Sequence, residues 1–89
     1  VSEPKLKTTP YFEQKLIERP EIRRDWCVRV LSNPLKQVTQ PNGRMSAWAV
    51  IPEFGDRVLR VITLEDGETL HNAYFDRNFR NRLRRGLEP

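Results

Sequence analysis

Three strand-like runs follow one another, Arg44 to Ile51, Arg57 to Leu64 and Glu68 to Phe75, separated only by Pro52-Glu53-Phe54-Gly55-Asp56 and Glu65-Asp66-Gly67. Connections this short leave no room for a crossover, so successive strands are expected to pair antiparallel. In the first run the alternation is clean: Met45, Ala47, Ala49 and Ile51 point one way, and Arg44, Ser46, Trp48 and Val50 the other. The small alanines suit a helix packed closely over the first set. The middle run is apolar at adjacent positions and reads as a central strand buried on both faces except at Arg60.

The flanking segments read as helices and one weak strand. Thr9 is a candidate N-cap with Pro10 at the first helical position, where its missing N–H costs nothing. Phe12 and Leu16 lie four apart, and Ile17 widens their stripe into a face that can pack. Pro20 interrupts this helix and can begin a second. From Glu21 to Leu31 the positions Ile22, Trp26, Cys27, Val30 and Leu31 follow helical spacing, and Asn33-Pro34 ends the run. Leu35 to Gln40 is a strand with poor alternation. The following Asn42-Gly43 is a strong hairpin signal, because both residues tolerate positive φ. After the last strand, Asp76 or Asn78 can cap a closing helix bearing Phe79 and Leu83, which Gly86 stops.

The expected architecture is therefore α+β: two N-terminal helices packed on a four-stranded antiparallel meander, with a short C-terminal helix. At 89 residues the chain is one domain, 1–89, with a flexible leader over 1–8 and a basic helix or tail over 77–89. No run approaches the roughly 20 apolar residues of a membrane span, and the first residues carry no hydrophobic stretch of the secretory kind. With a single cysteine, Cys27, read as a buried helix residue, the expected location is the cytoplasm.

The net charge of +4 is unevenly placed. Residues Arg77 to Arg85 hold five arginines and no acid, so the remainder sums to about −1. Such a cluster suits a polyphosphate or an acidic partner protein, or is simply a solvated helix face. One histidine and one cysteine make no zinc set, and there is no Gly-rich phosphate loop, metal-spaced carboxylate cluster or Ser/His/Asp order. No cofactor is expected.

Arg19, Asn33-Pro34, Gly43-Arg44, Leu59-Arg60-Val61-Ile62 and Asn72-Ala73-Tyr74 occupy places that make the chain resemble the RelE/ParE-like toxin class of the barnase, colicin and RelE nuclease superfamily. The resemblance spans residues 11 to 77 and is nearest to small RelE-like proteins whose first helix carries a His eight residues before an Arg. Here that Arg is Arg19 and the His place is Tyr11. The resemblance implies the toxin of a bacterial type II toxin–antitoxin system. Such a toxin is a metal-independent endoribonuclease acting on cellular RNA, free or ribosome-bound, and covered by a cognate antitoxin. Related folds include gyrase inhibitors of the ParE type, so fold does not give the reaction.

Metal-independent RNA cleavage needs a base for the ribose 2′-OH, an acid for the leaving 5′-oxygen and cations for the charge on phosphorus. Arg60 and Arg44 are candidates to clamp a phosphate; each is otherwise an edge-exposed or ion-paired arginine. His71 can serve as acid or base near neutrality, or be structural. Tyr74 can donate a proton or stack on a base. Strand parity sets His71, Ala73 and Phe75 against Leu70, Asn72 and Tyr74, so His71 and Tyr74 share a face only if a bulge intervenes. Trp48 can stack on a base or pack under the tail helix. Arg19 can reach the cleft or pair with Glu18 or Glu21. Arg77, Arg80 and Arg84 are candidate RNA contacts, with Asp76 and Tyr11 weaker candidates for the site. A different class, a non-catalytic module binding protein or nucleic acid, fits the same features, with Tyr11 in the His place as its main support.

Overall fold

The computed structural model describes residues 7–88. Its elements run α1 (Pro10–Glu18), α2 (Arg24–Ser32), β1 (Lys36–Thr39), β2 (Met45–Ile51), β3 (Arg57–Thr63), β4 (Leu70–Phe75) and α3 (Arg77–Arg84), with a short 3₁₀ turn at Pro52–Phe54. The four strands form one antiparallel sheet in the order β1-β2-β3-β4. Among the described residues no helix is long and apolar enough to cross a membrane.

The alternation of β2 divides the molecule. Ala47, Ala49 and Ile51 join Leu59 and Val61 of β3 and Leu70 and Ala73 of β4 in one core, closed by Phe12, Ile22, Trp26, Cys27 and Val30. Alanines at 47 and 49 leave room for the α2 side chains to sit close against the sheet. Burial pushes the Cys27 thiol up to about 12, so the sulfur is an inert part of this core. On the opposite face α3 brings Phe79 onto Trp48 and Val58 in a second, smaller cluster. β3 lies between the two and is buried on both sides except at its exposed first residue, Arg57, and at Arg60 and Ile62, which are half-buried.

Local chemistry explains the boundaries. Thr9 caps α1 by accepting from the Phe12 N–H at 3.1 Å, and Asp76 caps α3 by accepting from the Phe79 N–H at 2.9 Å. Pro20 and Glu21 form a turn, so α2 begins only at Arg24, and Ile22 is buried from the linker rather than from the helix. Ile17 does not widen the α1 face; it is 74% exposed, because only Phe12 and Leu16 meet the sheet. The hairpin between β1 and β2 also differs from the two-residue expectation. Gly43 alone takes positive φ (+87°), its N–H bonds to the Gln40 carbonyl at 2.9 Å, and the Gln40 N–H bonds to the Arg44 carbonyl at 2.7 Å. This is a three-residue loop closing on a left-handed glycine, for which Asn42 need not leave negative φ.

The expected leader over 1–8 lies outside the described residues as far as residue 6. Its last two residues are tied down: the Leu70 N–H bonds to the Lys7 carbonyl at 2.8 Å and Thr8 pairs with Leu70 in a parallel bridge. β4 starts at Leu70 rather than Glu68, because Asp66 accepts hydrogen bonds from the N–H groups of Glu68 and Thr69 and keeps them in the turn.

Candidate functional site

The register brings the polar residues of the α3 side of the sheet into a row. Trp48, Arg60 and Tyr74 are successive Cα partners across β2, β3 and β4, and Ser46, Ile62 and Asn72 form the next rung. Arg60 sits at the centre of the sheet, where a guanidinium must find partners for its donors. Its Nε and Nη2 both donate to the Ser46 hydroxyl, at 3.2 and 2.9 Å, and Nη1 donates to the Tyr74 hydroxyl at 2.5 Å. The guanidinium carbon also stands 5.0 Å from the centre of the Trp48 ring and 5.5 Å from that of Tyr74. A guanidinium carries five N–H donors, so two remain for a ligand. Arg60 is thus neither edge-exposed nor ion-paired.

Arg19 approaches the same tyrosine from α1. Its Nη1 donates to Asn72 Oδ1 at 3.0 Å and to the Ala73 carbonyl at 2.7 Å, and its guanidinium lies 5.9 Å from the centre of the Tyr74 ring. It pairs with neither Glu18 nor Glu21, because the free edge of β4 offers it a carbonyl lacking a strand partner. Arg19 and Arg60 therefore flank Tyr74. Among the described residues neither has a carboxylate within ion-pairing distance. Asp76 feels the charge of Arg60, and Glu18 that of Arg19. Burial pushes the Asp76 carboxyl upward, but hydrogen bonds from the Phe79 N–H and Trp48 Nε1 and the charges of Arg60 and Arg82 outweigh it, leaving its pKa lowered.

The bulge on which the parity argument turned is present. Ile62 pairs with Asn72 but Thr63 pairs with Leu70, which leaves His71 as the extra residue. The bulge keeps Leu70 and Ala73 on the core side together, correcting the strict alternation, and releases His71 from the ladder. Its Nδ1 lies 3.0 Å from the Thr9 hydroxyl, and its ring stacks on Tyr11 at 4.9 Å. Burial, and then the nearby Arg44 charge, lower its pKa, which favours the neutral ring. Tyr11 is thus a stacking partner of the one histidine in the chain.

Arg44 stands apart from the Arg60 row, and Trp48 takes the second of its two expected places, packed under the tail helix. Arg44 lies at the hairpin end in an open hollow with Glu65 and Asp66, away from the Arg60 fork. Trp48 is only 7% exposed; Phe79 stacks on it at 5.2 Å and its indole N–H donates to Asp76 at 3.0 Å. It is a wall of the site and has no free face for a base. Of the tail arginines, Arg77 and Arg80 line a cavity with Arg57, Arg82 lies 3.6 Å from Glu88, and Arg84 is exposed on the helix surface apart from the Arg60 row.

Sequence reasoning assigned no role to Ser46, Gln40 or Arg57. Gln40 Nε2 donates to Ser46 Oγ at 2.8 Å and fixes the hydroxyl that receives Arg60. The alternation already put Ser46 on the Arg60 side; pairing register was the missing information. The basic groups form three stations along the strands: Arg44 with His71, then Arg60 with Tyr74 and Arg19, then Arg57 with Arg77 and Arg80. Among the described residues no group of three or more His, Cys, Asp or Glu side chains is placed to hold a metal ion. This arrangement can grip a phosphate, present a phenolic proton beside it and hold a neutral imidazole on the same strand. The chain matches no family model, no curated protein and no solved structure.

Proposed function

We propose that the α3 side of the sheet binds a single RNA strand and cleaves it, the chain acting as the ribonuclease toxin of a toxin–antitoxin pair. The observation that carries this reading is Arg60: a central guanidinium with two N–H groups unused and no carboxylate partner among the described residues. Arg60 is half-buried, so its unused N–H groups face outward to where a ligand can reach them. A phosphodiester supplies the missing anion, and two parallel N–H donors suit its non-bridging oxygens.

In this reaction a base takes the proton of the ribose 2′-OH, and that oxygen attacks phosphorus. The bond to the 5′-oxygen breaks, the leaving oxygen takes a proton, and a 2′,3′-cyclic phosphate and a 5′-OH result. Arg60 holds the phosphoryl oxygens as their charge grows. The Tyr74 oxygen accepts from Arg60, so its own proton is directed elsewhere and is placed for the leaving oxygen. The base role falls to His71 in the tautomer whose Nδ1–H donates to the Thr9 hydroxyl, which leaves Nε2 unprotonated. The cationic face with few neighbouring acids also suits an acidic antitoxin segment.

A second reading, a module that binds RNA without cutting it, is favoured by the His71 contacts. Its Nδ1 is committed to Thr9 and its ring to Tyr11, which is what a structural histidine looks like. Incubating partner-free protein with total RNA in EDTA, beside an Arg60→Ala protein matched by circular dichroism, separates the two. Cleavage by the wild type alone supports the nuclease; protection of RNA without cleavage supports the binding module, and neither binding nor cleavage overturns both.

A further inference from the structure

Where β3 begins and β4 ends, a cavity of about 120 Å³ is lined by Arg57, Val58, Phe75, Asp76, Arg77 and Arg80. Three guanidinium groups and one carboxylate share this small volume. None of the three arginines has an ion-pair partner among the described residues. The one acid is already engaged: the Asp76 oxygens accept from Trp48 Nε1 at 3.0 Å and from the Phe79 N–H at 2.9 Å. The cavity thus carries an excess of two positive charges. Like charges gathered around a cavity repel, and they persist at low cost where an anion enters between them.

The arginines are also held in place. Arg80 donates from Nη2 to the Gly55 carbonyl at 3.0 Å, and Arg57 lies over the Phe54 ring at 5.1 Å. Their position relative to Arg60 is fixed by the strands. Val58 lies two residues before Arg60 on the same face of β3, and Asp76 two residues after Tyr74, a step of about 7 Å along the sheet. Arg57, the partner of Ile51 and set over Phe54, reaches the cavity from the opposite face at the end of the strand. The wall between the two stations is Trp48, which contacts Arg60 on one side and Asp76 on the other.

We propose that the Arg57–Arg77–Arg80 cavity is a second phosphate-binding subsite, which holds a neighbouring phosphate of the strand whose scissile phosphate lies at Arg60. The assignment of the phosphate to RNA rests on the reading above; the affinity of the cavity for a phosphate does not. The subsite fixes the register of the strand across the sheet, as backbone contacts do in nucleic-acid complexes, without reading bases.

The test uses a fully 2′-O-methylated oligouridine of six nucleotides, which cannot form the cyclic product, and inorganic phosphate as a separate probe. Arg57→Gln, Arg77→Gln and Arg80→Gln are compared with Arg23→Gln, an exposed arginine of the α2 entrance that removes the same charge elsewhere. Each cavity variant is expected to weaken oligonucleotide binding at least threefold and to reduce the salt slope by about 0.7, the value for one lost single-strand phosphate contact. The control is expected to keep the wild-type slope. Oligonucleotide binding with slopes unchanged in all three cavity variants overturns the subsite while leaving the RNA reading intact. If the wild type binds no oligonucleotide, the RNA reading fails, and phosphate decides the rest. Shifts of the ¹⁵Nε–H signals of Arg57, Arg77 and Arg80 on adding phosphate keep the cavity as an anion site, and their absence overturns it.

Discussion

Tyr74 and Arg60 are Cα partners on adjacent strands, and their side chains meet at 2.5 Å between the phenol oxygen and Nη1. Among the described residues the tyrosine is the only acceptor for that nitrogen, while Ser46 takes the other two contacts. The aim of the guanidinium is thus set by two hydroxyls, neither of which neutralises its charge. That separates a positioned cation from an ion pair, and it makes the hydroxyls testable one at a time.

Tyr74→Phe keeps the ring and removes the oxygen. The lost hydrogen bond costs about 1 kcal/mol, which lowers the melting temperature of a domain of this size by about 4–8 °C. RNA cleavage is expected to fall at least 10²-fold, the usual weight of a general acid, with affinity for uncleavable RNA changed less than threefold. Single-turnover kinetics beside fluorescence titration measure both. Cleavage at the wild-type rate would remove Tyr74 from the chemistry.

His71 is the only histidine, so its imidazole proton signals need no assignment. Burial and Arg44 lower its pKa, and its NMR titration is expected to have its midpoint below the ordinary value near 6.5. A group that binds its proton less readily when folded stabilises the fold fully above that ordinary value. The contribution is lost as pH falls through the lower, folded value. Urea melts should therefore show stability declining on the acid side of neutrality, and less so in His71→Gln. Arg44→Gln is expected to move the midpoint upward; a midpoint that does not move would show that burial alone sets it.

The element order was legible because β2 alternates cleanly and the turns carry Gly, Pro, Asn and Asp at short intervals. The candidate site was legible in part. Arg60 stood out as the one charge inside the apolar run that follows Arg57, and alternation put Trp48 on a common face with Ser46. What could not be read was pairing. Ser46 acquires its role only because Trp48 registers with Arg60, and the bulge at His71 depends on the Leu70 contact with Lys7 and Thr9, more than 60 residues apart in sequence. Alternation likewise left open whether Trp48 stacks on a base or lies under the tail helix; the choice is made by α3 folding back so that Phe79 covers it.

Gly43 and Gly55 both take positive φ, at +87° and +67°, but differ in surroundings. A Cβ at 43 would stand 2.8 Å from Glu65 Cγ, whereas one at 55 would meet nothing within 4 Å. Gly55→Ala is expected to carry only the backbone cost of about 1–2 kcal/mol. Gly43→Ala adds the displacement of Glu65 and should be the more destabilising. In a Glu65→Ala background the cost at 43 should shrink to that at 55. Equal costs in the wild-type background would mean that Glu65 moves aside freely.

Phe79 is fully buried and stacks on Trp48, and Leu83 adds a second, partial contact for α3. A helix of eight residues is not stable alone in water, so these contacts and the Asp76 cap hold it. Phe79→Ala is expected to cost about 3–5 kcal/mol. Ile17→Ala, at a position 74% exposed on α1, should change stability by less than about 0.5 kcal/mol. Urea melts of both proteins test the contrast. Loss of α3 also uncovers Trp48 and removes Arg77 and Arg80 from the end of the sheet. A Phe79→Ala protein that stays folded in its sheet should therefore bind uncleavable RNA more weakly and with a shallower salt dependence, as three counter-charges around one cavity would no longer act together. Wild-type affinity in that protein would show that the helix contributes packing alone.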